Sequence, residues 1–131
     1  MHMFSKLQDM NFTKMEPQKV KELVERGVRH LEFCAALYRH QHEQGLYFLH
    51  EHPAHATSWT NPKIVQLLGT PGVHKVVGHM CAFGMLQPTQ QGAQLVKKPT
   101  AFMGNCKELL GRLSRRCDGL HSHVVLVRGE G

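Results

Sequence analysis

The chain has 131 residues, 41% of them hydrophobic and 20% charged, a composition that excludes a disordered polypeptide and predicts one domain over residues 1–131. The formal net charge of +6 favours acidic partners, with nucleic acid first and phosphate-bearing ligands second. No apolar run approaches the roughly 20 residues that a membrane-spanning helix needs, so we expect no membrane partner.

Residues 1–16 are predicted to be irregular, and a helix and strand core is predicted over residues 17–131. A long helix comes first, over residues 16–45, because Pro17 suits the first helical position and Gly45 suits the residue after the end. Its apolar residues recur every three or four positions and are expected to form one buried stripe: Val20, Leu23, Val24, Val28, Leu31, Ala35 and Tyr38.

The remaining elements are predicted from apolar runs and from the glycine and proline residues that mark their ends. They are a buried strand over 46–51, a helix over 60–72 capped by Thr60 or Asn61, a strand over 73–84, a polar loop over 86–97, a strand over 98–105, a helix over 106–117 and a short strand over 123–127. The alternation of helices and strands predicts an α/β fold.

Glu51 is a candidate functional residue because it ends the apolar run that begins at Tyr47. Open α/β sheets collect functional groups at the carboxyl ends of their strands, and the end of this run is such a position. The alternative is that Glu51 is a solvated loop residue with polar neighbours.

The segment "CDGLHSH" is a candidate metal site, because thiolate and imidazole are the ligands that zinc prefers. Cys117, His121 and His123 supply three ligands, and Cys106 or Cys81 would complete a tetrahedron. The alternative is that the cysteines are small buried apolar residues. Four cysteines without a CxxC pair, and no apolar signal sequence, predict an intracellular protein with reduced thiols.

Two basic clusters are candidates for phosphate contact. Arg112, Arg115 and Arg116 belong to the predicted helix over 106–117, and Lys97 and Lys98 flank the predicted loop. Lysine and arginine neutralise nucleic-acid phosphates. A solvated charged surface is the alternative for both clusters.

The order of four short motifs, "MFSKLQ", "FLHEHP", "CAFG" and "KPTAFMGN", resembles the second half of a DNA cytosine-5 methyltransferase catalytic domain. The similarity is to the degenerate relatives in phages and in retrotransposon (copia-like) polyproteins, and it extends over most of residues 3–123. The resemblance implies the later strands of a partial Rossmann-like methyltransferase sheet with flanking helices. In that family the cofactor is S-adenosylmethionine and the partner is DNA.

Carried over to this chain, the resemblance makes Glu51 the carboxylate that holds the target cytosine. Phe4 and Ser5 match the residues that follow the catalytic cysteine, and Lys98 falls near an arginine of the family's later hairpin. The cysteine nucleophile itself would fall at Met1, and the glycine-rich loop that binds S-adenosylmethionine has no counterpart. Cytosine attack needs a thiolate, so the resemblance implies no methyltransferase activity for this chain alone.

Two functional hypotheses follow from these observations. The first is a truncated, inactive methyltransferase-like domain of mobile-element origin with residual nucleic-acid binding, or an accessory half that a partner completes to give activity. The second is a small basic interaction module that binds nucleic acid or zinc without catalysis. The first hypothesis also implies an unpaired sheet edge, and hence self-association.

Overall fold

The structure is a computed structural model that describes residues 16–125. Its helices are α1 (Pro17–Glu43), α2 (Pro62–Leu68) and α3 (Lys107–Leu113). Its strands are β1 (Leu49–Pro53), β2 (His74–His79), β3 (Leu86–Thr89), β4 (Gly92–Lys97), β5 (Pro99–Gly104) and β6 (Val124–Val125). Short 3₁₀ helices cover Thr57–Thr60 and Met80–Phe83. Ser5 and most of the predicted irregular segment lie outside the described residues, as does the end of the strand predicted over 123–127.

Helix α1 follows from its local sequence. Pro17 occupies the first turn, where a missing N–H costs nothing, and Gly45 takes a φ of 72° just beyond the end. Leu31 and Ala35 are buried, and Tyr38 packs against the core. The predicted stripe is therefore buried at its C-terminal end, whereas Val24 is exposed.

The first sheet has the strand order β1-β5-β2, and both of its pairs are antiparallel. Strands β1 and β2 therefore run in the same direction on either side of β5, with α2 between them in the chain. Every residue of β5 from Thr100 to Gly104 is buried, as expected of a central strand covered on both faces.

Helices α1 and α2 cover one face of this sheet, and α3 packs against β2 and β5. The main core is an apolar cluster between the two helices and the sheet: Leu31, Ala35, Phe48, Ala56, Trp59, Ile64, Leu67, Val73, Ala101 and Met103. Leu110 of α3 is buried, and a Cβ on Gly78 would collide with the carbonyl oxygen of Leu113. The absence of a side chain at Gly78 thus permits the close approach of the α3 end to β2.

The second sheet corrects one sequence prediction, because residues 86–97 form a hairpin and not a loop. Strands β3 and β4 pair antiparallel, and β4 pairs with β6 in parallel. Gly92 takes a φ of 98° at the turn, and the Thr89 hydroxyl donates to the Gly92 carbonyl. Glutamine-rich strands lack the apolar signal of a strand, and here only Val96 of β4 is buried.

The mixed α/β class is confirmed, but the arrangement of the strands differs from the expected Rossmann-like sheet. A Rossmann sheet is mostly parallel, whereas the first sheet here is wholly antiparallel because β5 is inserted between β1 and β2. Among residues 16–125, no helix combines the length and the apolar character that crossing a bilayer requires.

Candidate metal centre

Four side chains from two separate parts of the chain converge beside the second sheet. The ligand atoms of Cys81, Cys117, His121 and His123 all lie within 4.8 Å of one another. The Cys117 Sγ is 3.5 Å from Nε2 of His121 and 3.4 Å from Nε2 of His123. This arrangement can hold a metal ion.

Cys81 reaches the cluster from the 3₁₀ helix that follows β2. It is 5% exposed, and Gly84 ends this turn with a φ of 79°. Because the turn directly follows a strand of the first sheet, the position of Cys81 is set by the packed core.

Cys117 lies in the loop after α3, and backbone hydrogen bonds hold this loop against the end of β2. The backbone N–H of His79 donates to the Arg115 carbonyl at 2.7 Å. The Gly119 N–H donates to the Cys117 sulfur at 3.3 Å. These two hydrogen bonds hold the Cys117 side chain beside the end of β2.

Asp118 orients the imidazole of His121. Its carboxylate oxygen lies 3.2 Å from Nδ1 of His121 and also accepts the Leu120 N–H at 2.9 Å. A carboxylate accepts only, so a neutral His121 that donates to Asp118 carries its proton on Nδ1 and presents the lone pair of Nε2 to Cys117. Carboxylate–histidine pairs orient metal ligands in this way.

The protonation of two members of the cluster follows from their surroundings. Burial raises the pKa of the Cys81 thiol, and the contact with Cys117 raises it further. Desolvation lowers the pKa of His123, as do the nearby charges of His121 and Lys97. His123 is consequently neutral near pH 7, the form that ligates a metal, whereas Cys81 has to lose its proton on metal binding.

The structure places Cys117, His121 and His123 together, as the sequence indicated. The fourth member of the cluster is Cys81. Cys106 does not belong to the cluster. It precedes α3, whereas Cys117 follows it, and the seven residues of α3 separate the two ends by about 10 Å.

All but one of the candidate basic residues line cavities that include members of this cluster. Lys97 and Lys98 line a cavity of about 270 Å³ that also contains His79, Cys81, Pro99, Cys117, Gly119 and His123. Arg115 and Arg116 line a second cavity of about 460 Å³ with Cys81, Ala82, Leu95, Asp118 and His121. Arg112 is exposed in the last turn of α3 and lines neither cavity.

Glu51 lies in the middle of the edge strand β1, opposite Phe102 of β5, and is exposed. The sequence predicted it at a strand end, but the strand continues to Pro53 because β5 pairs with it over five residues. Its neighbours His50 and His52 point to the opposite face and are buried. The sequence contained a signal for this alternation, because His50 and His52 are two positions apart in "HEHP" and side chains two positions apart share one face of a strand.

The environment of His50 was not predicted from the sequence. His50 is 1% exposed, its Nδ1 lies 3.0 Å from the Tyr38 hydroxyl, and its ring meets Trp59 edge-on. Burial, followed by the charge of His52, lowers the pKa of His50 to about 4. Burial also raises the pKa of Tyr38 to about 12, so both groups are neutral at pH 7.

Comparisons with protein-family models, with curated proteins and with solved structures found no match to this chain. The resemblance to the cytosine-5 methyltransferases therefore stays a prediction from the motifs.

Proposed function

We propose that the chain is a small zinc-binding interaction module without catalytic activity, with Cys81, Cys117, His121 and His123 as the ligands. The observation that carries the proposal is the spacing around Cys117. Two sulfur-to-nitrogen distances of 3.5 and 3.4 Å compare with about 3.6 Å for ligands of a tetrahedral zinc, given the usual Zn–S and Zn–N bond lengths.

The Cys117 sulfur faces two imidazole nitrogens at once. A neutral His121 that donates to Asp118 presents the lone pair of Nε2 to this sulfur, and His123 presents its own Nε2 to it. The Cys117 thiol has a single proton to donate, so without a metal His123 has to be the donor in its contact with the sulfur. A cation accepts the lone pairs of both imidazoles and both sulfurs together.

The ligand set supports a structural zinc. Two thiolates and two neutral imidazoles complete a four-coordinate site and neutralise the dication, which leaves no open position for a water or a substrate. The ligands join the turn after β2 to the loop between α3 and β6. Bound zinc would therefore hold this loop to the packed core, and its binding energy would contribute to folding.

Metal content of the native protein tests the proposal. We expect one zinc per chain by native mass spectrometry, and we expect Cys117→Ser and Cys81→Ser to lose it. Cys106→Ser and Cys34→Ser are the matched controls, because neither belongs to the cluster, and both should keep the metal. A protein that stays metal-free when refolded with zinc, or equal loss in all four variants, would contradict the proposal.

The truncated methyltransferase-like domain is the competing hypothesis. It rests on the order of the motifs around Glu51, and the antiparallel first sheet does not support its Rossmann-like part. Binding of cytosine-containing single-stranded DNA to the original chain and to Glu51→Gln distinguishes the two hypotheses. The zinc module predicts equal affinities, whereas weaker binding by the variant would favour the methyltransferase-like domain.

A further inference from the structure

A basic concave surface surrounds the candidate metal centre. The cavity that Lys97 and Lys98 line and the cavity that Arg115 and Arg116 line share Cys81 in their walls. The four cations thus line two cavities that meet at one cluster, although they come from different parts of the chain. We call these four residues the basic rim.

The charges of the basic rim are not neutralised within the described part of the chain. Over residues 16–125, no member of the rim forms an ion pair with a carboxylate. Asp118 is the acidic residue in these walls, and its carboxylate is engaged by His121. Four uncompensated cations around concave walls create a positive potential that attracts an anionic ligand.

An aromatic ring, Phe83, lies beside this surface in contact with Arg115, although it lines neither cavity. The guanidinium of Arg115 lies over the ring of Phe83, 5.4 Å from its centroid, and Phe83 is 37% exposed. An exposed aromatic ring beside an arginine is a stacking platform for a nucleobase. A simple phosphate makes no stacking contact with such a ring, whereas a nucleic acid contacts both the ring and the cations.

The shape of the surface favours a single strand over a duplex. A base enters a cavity or stacks on a side chain only when it is unpaired, whereas duplex readers place a protruding helix or ribbon in a groove. The rim residues here line the walls of concave sites. The cavity beside Lys97 and Lys98, about 270 Å³, is larger than a phosphate group needs.

We propose that the basic rim and Phe83 form a binding site for single-stranded nucleic acid. The proposal rests on the proposed zinc centre, because zinc would hold the loop that carries Arg115 and Arg116 next to the strand that ends at Lys97. Phosphates contact the four cations, and one base stacks on Phe83.

Fluorescence anisotropy on the zinc-loaded full chain tests this proposal, with labelled oligo(dT) and oligo(U) of about 15 nucleotides and a duplex of the same length as probes. Four phosphate contacts predict a slope of about −3 for the logarithm of affinity against the logarithm of salt concentration. Lys97→Ala/Lys98→Ala should halve this slope and weaken binding roughly 10-fold near 0.1 M salt. Phe83→Leu should weaken binding about 5-fold or more without changing the slope.

Lys19→Ala/Lys21→Ala is the matched control, because it removes the same charge from exposed positions on α1. Equal weakening in this control would overturn the proposal, as would tighter binding of the duplex or no binding of either single strand. None of the substituted residues is a proposed zinc ligand, so every variant should retain zinc, and the zinc content of each sample is measured to check this. Bound zinc without oligonucleotide binding overturns this inference alone, whereas a metal-free chain overturns the zinc centre itself.

Discussion

The backbone N–H of Cys117 donates a hydrogen bond of 2.8 Å to Nδ1 of His79. The last residue of β2 thereby holds the loop that supplies three of the four candidate metal ligands. Because Nδ1 accepts this bond, the proton of a neutral His79 is on Nε2. His79 is half-buried and belongs to the wall of the cavity beside the cluster, without being a ligand.

Substitution of His79 should therefore weaken zinc binding without removing a ligand. We expect His79→Ala to lower zinc affinity by about 10-fold, the usual cost of losing an outer-shell partner. Competition with a chromophoric chelator measures the affinity. His74→Ala is the control, since His74 is exposed at the other end of β2. Equal affinities of the two variants would show that the hydrogen bond to Cys117 has no such role.

The buried His50 makes stability depend on pH. Its pKa is lowered to about 4 in the folded protein, mainly by burial, whereas it is near 6.5 in the unfolded chain. Between these values the unfolded state binds a proton that the folded state does not. The stabilising contribution of the neutral His50 is therefore fully present above pH 6.5 and is lost as the pH falls toward 4. The total loss from this group is roughly 3 kcal/mol, and it does not increase below pH 4.

Urea unfolding at pH 7.5 and pH 4.5 measures this dependence. His50→Gln keeps a polar partner for Tyr38 but removes the titration, so its stability should change less between the two pH values than that of the original chain. Protonation of the metal ligands contributes equally to both proteins and cancels in the comparison. His55→Gln, at an exposed position, should retain the full dependence. A His50→Gln variant with the same pH dependence would refute this assignment.

Substitution by alanine should have opposite effects on stability at Gly78 and at Gly111. A Cβ on Gly78 would collide with the Leu113 carbonyl and would crowd the rings of Phe83 and Phe102. We expect Gly78→Ala to lower the free energy of unfolding by about 1–3 kcal/mol. Gly111 in α3 has nothing within 4 Å of its Cβ position, so Gly111→Ala should raise it by about 0.5–1 kcal/mol through helix propensity. Chemical denaturation of both variants checks the signs, and destabilisation by both would contradict this account.

Glu51→Gln separates the two functional hypotheses. Glu51 is exposed on β1 and lines neither cavity of the basic rim. We therefore expect the variant to retain its stability within about 0.5 kcal/mol and its affinity for the single-stranded probes. The methyltransferase resemblance implies instead that loss of this carboxylate weakens binding of cytosine-containing DNA. Anisotropy with oligo(dC) decides between these outcomes.

Local sequence was sufficient for the existence and the start of the helices and for part of the candidate metal site. It did not predict the end of α3, which stops at Leu113 and leaves Arg115 and Arg116 in the following loop. Pro17 marks the first turn of α1, and Asn61 caps α2 through its side chain, which accepts the Lys63 N–H at 2.9 Å. These signals act over a few consecutive residues, so they can be recognised without the rest of the chain. The spacing of Cys117, His121 and His123 is local in the same sense.

Tertiary structure decided the features that depend on strand pairing. The insertion of β5 between β1 and β2 made the first sheet antiparallel and placed Glu51 on an exposed edge strand. The hairpin of β3 and β4 was not predicted, because its residues are mostly polar and their pairing depends on backbone hydrogen bonds. The choice of Cys81 over Cys106 followed from where the turn after β2 meets the loop after α3. Sequence by itself thus determined the residue types and the local turns, whereas long-range pairing decided which residues meet, because contacts between distant segments leave no periodic signal in either segment.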